Sequence, residues 1–208
     1  MMVDIQHVGI RGYERDLGLD LVLLNPSYRL GCQCCVDGFY QQYLWSKGRK
    51  GFIQLGIYNP RCRVPVEVEL ERQISKGIAG VVLNPANHGY ALKEAKRVVD
   101  YVNRRKLNIY LYTRTLGLEE LETLNDGLDV NLIILDPRNE ISPLFRETNV
   151  YVNVRDYTGD VSRRRAILGT FYPYEREEKA KELLFRFGWT FNNLLELVQP
   201  WLNDVTDW

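Results

Sequence analysis

The runs Gly80-Val81-Val82-Leu83-Asn84-Pro85, Ile109-Tyr110-Leu111-Tyr112-Thr113-Arg114 and Leu132-Ile133-Ile134-Leu135-Asp136-Pro137 decide the fold. Each is a short stretch of Val, Ile, Leu and Tyr that breaks off into polar residues or proline. None alternates apolar with polar side chains. Strands covered on both faces read that way, which is the habit of a parallel sheet flanked by helices. Between the first two runs, Ala91 to Lys106 sets Leu92, Ala95, Val99 and Val102 on one stripe, with Lys93, Glu94, Lys96, Arg97 and Arg104 elsewhere, so a helix is expected there. Its last turn, Arg104-Arg105-Lys106, complements the negative end of the helix dipole. Strand, helix, strand in this order makes right-handed βα units.

The same alternation extends outward. Strands are expected at Leu19–Leu24, Phe52–Tyr58, Ala79–Leu83, Asn108–Tyr112, Val130–Leu135, Asn149–Val154 and Ile167–Tyr172. Pro65 opens a helix that ends at Lys76-Gly77, and Leu118, Leu121 and Leu124 mark a shorter one. Further helices are expected over Asp37–Lys47, Glu175–Phe187 and Thr190–Leu197, the last stopped by Pro200. Several strands end in Asn-Pro or Asp-Pro, at Pro26, Pro60, Pro85 and Pro137, spaced 34, 25 and 52 residues apart. A βα module needs roughly 30 residues, so these are module boundaries. The expectation is an α/β fold: a (βα) barrel or partial barrel of six to seven mainly parallel strands with C-terminal capping helices, in a single domain over residues 1–208.

Composition narrows the partners. The 208 residues carry 27 Lys+Arg against 27 Asp+Glu, so no global basic field recruits nucleic acid or an anionic membrane. With 45% hydrophobic and 26% charged residues the chain reads as an ordinary folded protein. No apolar run approaches ~18 residues, so no membrane span is expected. The start Met1-Met2-Val3-Asp4-Ile5-Gln6-His7 has no signal-peptide pattern, and a cytoplasmic protein is expected.

In a parallel barrel the loops after the strand C-termini gather at one mouth, and function sits there. The strand ends supply Asn25, Asn59, Asn84, Asn87, Thr113, Arg114, Asp136, Arg138, Arg155 and Asp156. That ring of amides, carboxylates and guanidinium groups suits a small polar or anionic ligand. The competing explanation is that proline ends each strand and Asn or Asp precedes it for turn geometry. A second candidate is the loop Leu30-Gly31-Cys32-Gln33-Cys34-Cys35, with Cys62 after the next strand. Four thiolates can hold zinc or an iron–sulfur cluster. Their gaps of one and zero residues fit neither spacing well, and the alternatives are small buried cysteines or a disulfide such as Cys32–Cys62, a device of thermophile interiors.

The stretch from Val66 to Asn139 resembles the radical S-adenosylmethionine enzymes, whose core is a six-stranded partial α/β barrel. Leu83-Asn84-Pro85-Ala86-Asn87 stands where that family has a glycine-rich Glu-Pro motif, and Tyr112-Thr113-Arg114 where it has a Thr-Asn-Gly-like motif. The family's C-x-x-x-C-x-x-C spacing, counted from Cys32, falls on Val36 and Phe39; this chain has Cys34 and Cys35 instead. The resemblance implies an atypical or degenerate member with a cysteine-ligated iron–sulfur cluster and S-adenosylmethionine at the mouth.

The remaining signals are thinner. Of the two histidines, His7 and His88, the second lies beside Asn84 and Asn87 and is the candidate general acid–base with Asp136 and Asp156. No phosphate loop, G-x-G-x-x-G or G-x-S-x-G occurs. Arg163-Arg164-Arg165 is the one basic cluster, either a phosphate or carboxylate grip near the mouth or a solvated surface run. Phe185, Phe187, Trp189, Phe191, Trp201 and Trp208 make the tail aromatic, fit for capping the barrel or for a homo-oligomer seam. Three functions follow as expectations: the cysteine-site enzyme above, with zinc as the alternative metal; a TIM-barrel-like enzyme or binder for a phosphate or carboxylate ligand; and a non-catalytic interaction module.

Overall fold

The runs read as strands pair side by side in chain order. A computed structural model of the chain describes residues 3–8, 19–26, 36–155, 157, 159–172 and 174–202. Its strands are β1 (Val3–Val8), β2 (Leu21–Pro26), β3 (Phe52–Ile57), β4 (Ile78–Leu83), β5 (Asn108–Leu111), β6 (Leu132–Ile134), β7 (Val150–Asn153) and β8 (Ala166–Ile167). They form one sheet of order β1 to β8, every neighbouring pair parallel. This is the expected (βα) partial barrel. The seven strands read from the sequence have counterparts, the last only as Ala166–Ile167 where Ile167–Tyr172 was expected, and β1 adds an eighth at the edge. The sequence Val-Asp-Ile-Gln-His-Val of β1 lacks the unbroken apolar character that marked the others. Among the described residues no pairing joins β8 to β1, so the sheet curls without closing.

The helices are α1 (Val36–Ser46), α2 (Val66–Ile74), α3 (Pro85–His88), α4 (Lys96–Arg104), α5 (Leu118–Asp126), α6 (Glu177–Phe187) and α7 (Phe191–Leu202). The helix expected over Ala91–Lys106 begins as a 3-10 turn, Leu92–Ala95, before α4 takes over. Val81, Leu83, Ile109, Leu111, Leu132 and Ile134 pack outward against helices. Leu21, Leu23, Ile53, Leu55, Tyr110, Ile133 and Tyr151 pack inward. Opposite faces of each strand are thus both apolar, which is why the sequence shows runs and not alternation. One irregularity is legible in the register: Gln54 pairs with Ile78 but Gly56 with Val81, so β4 carries an extra residue there. Next to it, the place of a side chain at Gly80 is taken by the Tyr110 ring.

Helix α7 closes the floor. Leu194, Leu197 and Val198 join the inward cluster. Asn108, opening β5, donates from Nδ2 to the Leu197 carbonyl at 3.1 Å. Asn193 donates to the carbonyl of Ala166, which opens β8, at 2.7 Å. Both ties lie at strand N-termini, so the opposite end of the sheet is left for a ligand. Pro200 was expected to stop this helix and does not: α7 runs through it to Leu202. A proline that close to a helix end forfeits one backbone bond near the end of the helix, where few turns follow. Helix α6 sets Ala180, Leu183 and Leu184 over Val22 and Leu24. Of the aromatic tail, Phe187, Phe191 and Trp201 pack on the core as caps. Phe185 stands 93% exposed, and Trp208 lies outside the described residues. No described helix is long and apolar enough to cross a membrane.

Candidate functional site

At the C-terminal ends of β5, β6 and β7 a cavity of about 290 Å³ is lined by Arg114, Leu135, Asp136, Pro137, Arg138, Asn153, Arg155 and Phe171. Each polar member is positioned by the strand end it follows. Thr113, fully buried, fixes Asp136: its backbone N–H donates to Asp136 Oδ1, and its hydroxyl donates to the same carboxylate oxygen at 3.1 Å. Burial pushes the Asp136 pKa above the ordinary aspartate value, with the Thr113 bonds and the Arg114 backbone amide pulling the other way. A carboxyl in that state is suited to exchange a proton within a shielded site.

Three guanidinium groups surround it. Arg138 reaches back to the carbonyls of Thr113 (3.3 Å) and Leu116, bracing the loop after β5, while its buried Nε has no partner among the described residues. Arg155 pairs through Nη2 with Glu175 at 2.7 Å, and its backbone N–H donates to Asn153 Oδ1 at 3.1 Å. Arg114 is exposed at the rim and has no side-chain partner among the described residues. Three cations against one carboxylate give the cavity a net positive lining in a chain whose formal charge is zero. Asn153 ties the ends of β6, β7 and β8 together, donating to Leu135 O (3.1 Å) and Gly169 O (3.3 Å) and accepting from Gly169 N at 3.0 Å.

The other mouth residues divide sharply. Asn25 donates from Nδ2 to the Tyr112 hydroxyl at 2.9 Å, joining the end of β2 to the end of β5, and its buried Oδ1 has no partner among the described residues. Asn84 caps α3 by accepting from the Asn87 backbone at 3.2 Å, and its buried Nδ2 has no partner among the described residues. Asn59 is buried and accepts from the Arg61 backbone at 2.9 Å. Asn59 and Asn84 thus fill the turn roles that proline-terminated strands ask for, and none of the three asparagines lines the cavity. His88 is buried beside Tyr90, and burial pulls its pKa down to about 4, so it is neutral at ordinary pH. Cys62 packs on the outward core and does not line the cavity. Cys32, Cys34, Cys35 and Asp156 lie outside the described residues. Among the described residues no three His, Cys, Asp or Glu side chains converge in the manner of metal ligands.

Arg163-Arg164-Arg165 sits at the other end of the sheet from the cavity, before the start of β8. Arg163 lies over the Trp189 ring at 5.5 Å and Arg165 over the Tyr151 ring at 4.8 Å. The expected grip at the mouth is therefore not made by this run; aromatic rings hold two of its members at the floor. The residues that sequence reading missed include Asn153, Phe171, Tyr112 and Glu175. Phe171 has φ of 58°, a left-handed backbone that is a genuine outlier for a bulky side chain.

No family model and no curated protein matches the sequence. Solved structures do match the fold. An apo protein of Agrobacterium tumefaciens superposes with a TM-score of 0.67 at 11% identity, over 95% of this chain and 93% of its own. A probable 2-pyrone-4,6-dicarboxylic acid hydrolase of Acinetobacter baumannii, solved with citric acid bound, gives 0.61 at 15% identity over 95% and 99%. Saccharomyces cerevisiae dihydroorotase in complex with 5-fluoroorotic acid gives 0.60 at 12% identity over 99% and 82%. These neighbours overturn the radical S-adenosylmethionine resemblance, and the iron–sulfur cluster and S-adenosylmethionine it implied fall with it. The likeness rested on the βα repeat, which every parallel barrel shares, and not on the cysteine spacing. By fold, the chain is a (βα) partial barrel similar to these solved structures, its arginine-lined cavity opening at the end of the sheet where parallel barrels hold their ligands.

Proposed function

We propose that the chain is a barrel enzyme acting on a small carboxylate-bearing substrate at the mouth formed by β5, β6 and β7. The observation that carries this reading is the cavity itself: Arg114, Arg138 and Arg155 around the single buried-side carboxyl of Asp136. Guanidinium groups bind carboxylates through paired, charge-assisted hydrogen bonds, and Asp136 is placed to give or take a proton beside the bound anion. At about 290 Å³ the cavity stands at the small end of the ~300–1,000 Å³ range of ligand pockets, which suits a ligand of citrate size or less. The fold neighbours support the reading, since one was solved with citric acid and another with 5-fluoroorotic acid.

The experiment is thermal unfolding of the full chain with citrate, orotate, benzoate and inorganic phosphate. A carboxylate at a hundredfold over its Kd stabilises the fold by about 2.7 kcal/mol. Arg114→Ala removes an exposed cation that braces nothing, so it should leave the unliganded Tm in place and abolish the ligand-induced rise. The proposal is wrong if no carboxylate raises the Tm, or if the rise survives in Arg114→Ala.

A further inference from the structure

The carboxylate reading leaves two features of the mouth without a role: the left-handed Phe171 and the Arg155–Glu175 pair. Both belong to the loop after β8 or touch it. The Arg155 guanidinium carbon lies 5.1 Å from the centroid of the Phe171 ring, a stacked cation–π arrangement. The same ring meets Tyr112 at 6.1 Å with an interplanar angle of 32°, and Tyr112 is tied in turn to Asn25. The backbone of Phe171 does a second thing. Its carbonyl accepts from the N–H of Tyr174 at 2.9 Å and of Glu175 at 3.2 Å. The turn that carries the ring under Arg155 therefore also anchors the residue whose carboxylate holds Arg155 from the side. Glu175 does not line the cavity, so it braces the guanidinium from behind and leaves the ligand's position clear.

An aromatic residue with φ of 58° is costly to keep, and such outliers persist where the surroundings impose them, often at functional sites. Here the geometry has an identifiable product: a guanidinium held between an aromatic ring at 5.1 Å and a carboxylate at 2.7 Å. Resting on the carboxylate-binding reading above, we infer that Phe171 is the positioning residue of the anion site, holding Arg155 through its ring and Glu175 through its carbonyl. It touches the cavity, but its effect on the bound anion passes through Arg155.

The test is citrate binding by isothermal titration to the full chain and its variants. Phe171→Gly keeps the left-handed backbone, where glycine is at ease, and deletes only the ring. It should weaken citrate roughly three- to thirtyfold, the range of a cation–π contact. Phe171→Tyr should restore wild-type binding, and Glu175→Gln should weaken it. In an Arg155→Met background the effect of Phe171→Gly should vanish, which a general loosening of the loop would not produce. If wild type binds citrate and Arg114→Ala does not, yet Phe171→Gly binds as tightly as wild type, the positioning role is refuted and the carboxylate site stands. The role is also refuted if Phe171→Gly weakens binding equally with and without Arg155. If wild type binds no carboxylate at all, both readings fail together.

Discussion

Lowering the pH should destabilise this protein through His88. The imidazole is 3% exposed, and burial alone pulls its pKa from the ordinary 6.5 to about 4. Below pH 6.5 the unfolded chain takes a proton that the folded chain refuses. Stability is therefore complete above pH 6.5 and drains away as the pH falls toward 4, the direction opposite to a histidine that gains a charged partner. At pH 5 the unfolded imidazole is largely charged and the folded one is not, which takes away about 2 kcal/mol; below pH 4 the loss levels at about 3 kcal/mol. For a domain with a total of roughly 5–15 kcal/mol this is a large fraction. The assay is urea unfolding at pH 7, 6, 5 and 4.5 for wild type and His88→Gln. The wild-type curve should fall below that of the variant by about 2 kcal/mol between pH 7 and pH 5. Asp136, whose raised pKa acts in the reverse sense, is common to both proteins and cancels in the comparison. Parallel curves would show that His88 is hydrated in the fold and would refute the burial argument.

Other outcomes follow from single contacts. Gly80→Ala would place its Cβ 2.5 Å from the Tyr110 ring and 2.7 Å from the Asn108 carbonyl, so chemical denaturation should show a loss of at least about 2 kcal/mol. Tyr110→Phe removes a buried hydroxyl that has no partner among the described residues, and the same measurement should show no loss and up to about 1 kcal/mol of gain. Phe171→Gly should be more stable than Phe171→Ala by about 1 kcal/mol, because the backbone there is left-handed; calorimetry showing the reverse would mean a conventional φ in solution. Leu197→Ala in the floor helix should cost about 2–5 kcal/mol, read as a drop in Tm.

The sheet was legible because its strands are apolar on both faces. Runs such as Leu132-Ile133-Ile134-Leu135 cannot sit at a surface, and their spacing leaves room for one helix each. β1 escaped because Asp4, Gln6 and His7 interrupt it, and its assignment depends on pairing with Leu21–Pro26 far along the chain. The mouth was legible in part. Strand-terminal Asn, Asp and Arg do gather there, and Arg114, Asp136, Arg138 and Arg155 share one cavity. Local sequence could not separate them from Asn59 and Asn84, because an amide that caps a turn and one that faces a ligand have the same neighbours in the chain. Phe171 had no signal at all. Nothing in Gly169-Thr170-Phe171-Tyr172 demands a left-handed aromatic, and the ring's contacts, Arg155 and Tyr112, lie elsewhere in the chain. Cys32, Cys34 and Cys35 lie outside the described residues, and the arginine run was misplaced because its position along the chain says nothing about which end of the sheet it caps.

The floor helix bears on how the chain comes into being. The residues that line the inside of the sheet are gathered from β2 onward, but Leu194, Leu197 and Val198, which shut water out from below, belong to the last helix described, and α7 packs against β1, β4 and β8 together. During synthesis the strands emerge first, with their inner apolar faces open at one end. That surface stays wet until the final turns of α7 leave the ribosome and swing back under a strand made nearly two hundred residues earlier. Ordering of the interior must then come late and as one event, and a chain released before α7 is complete would present the inside of its sheet to the cell's chaperones and proteases.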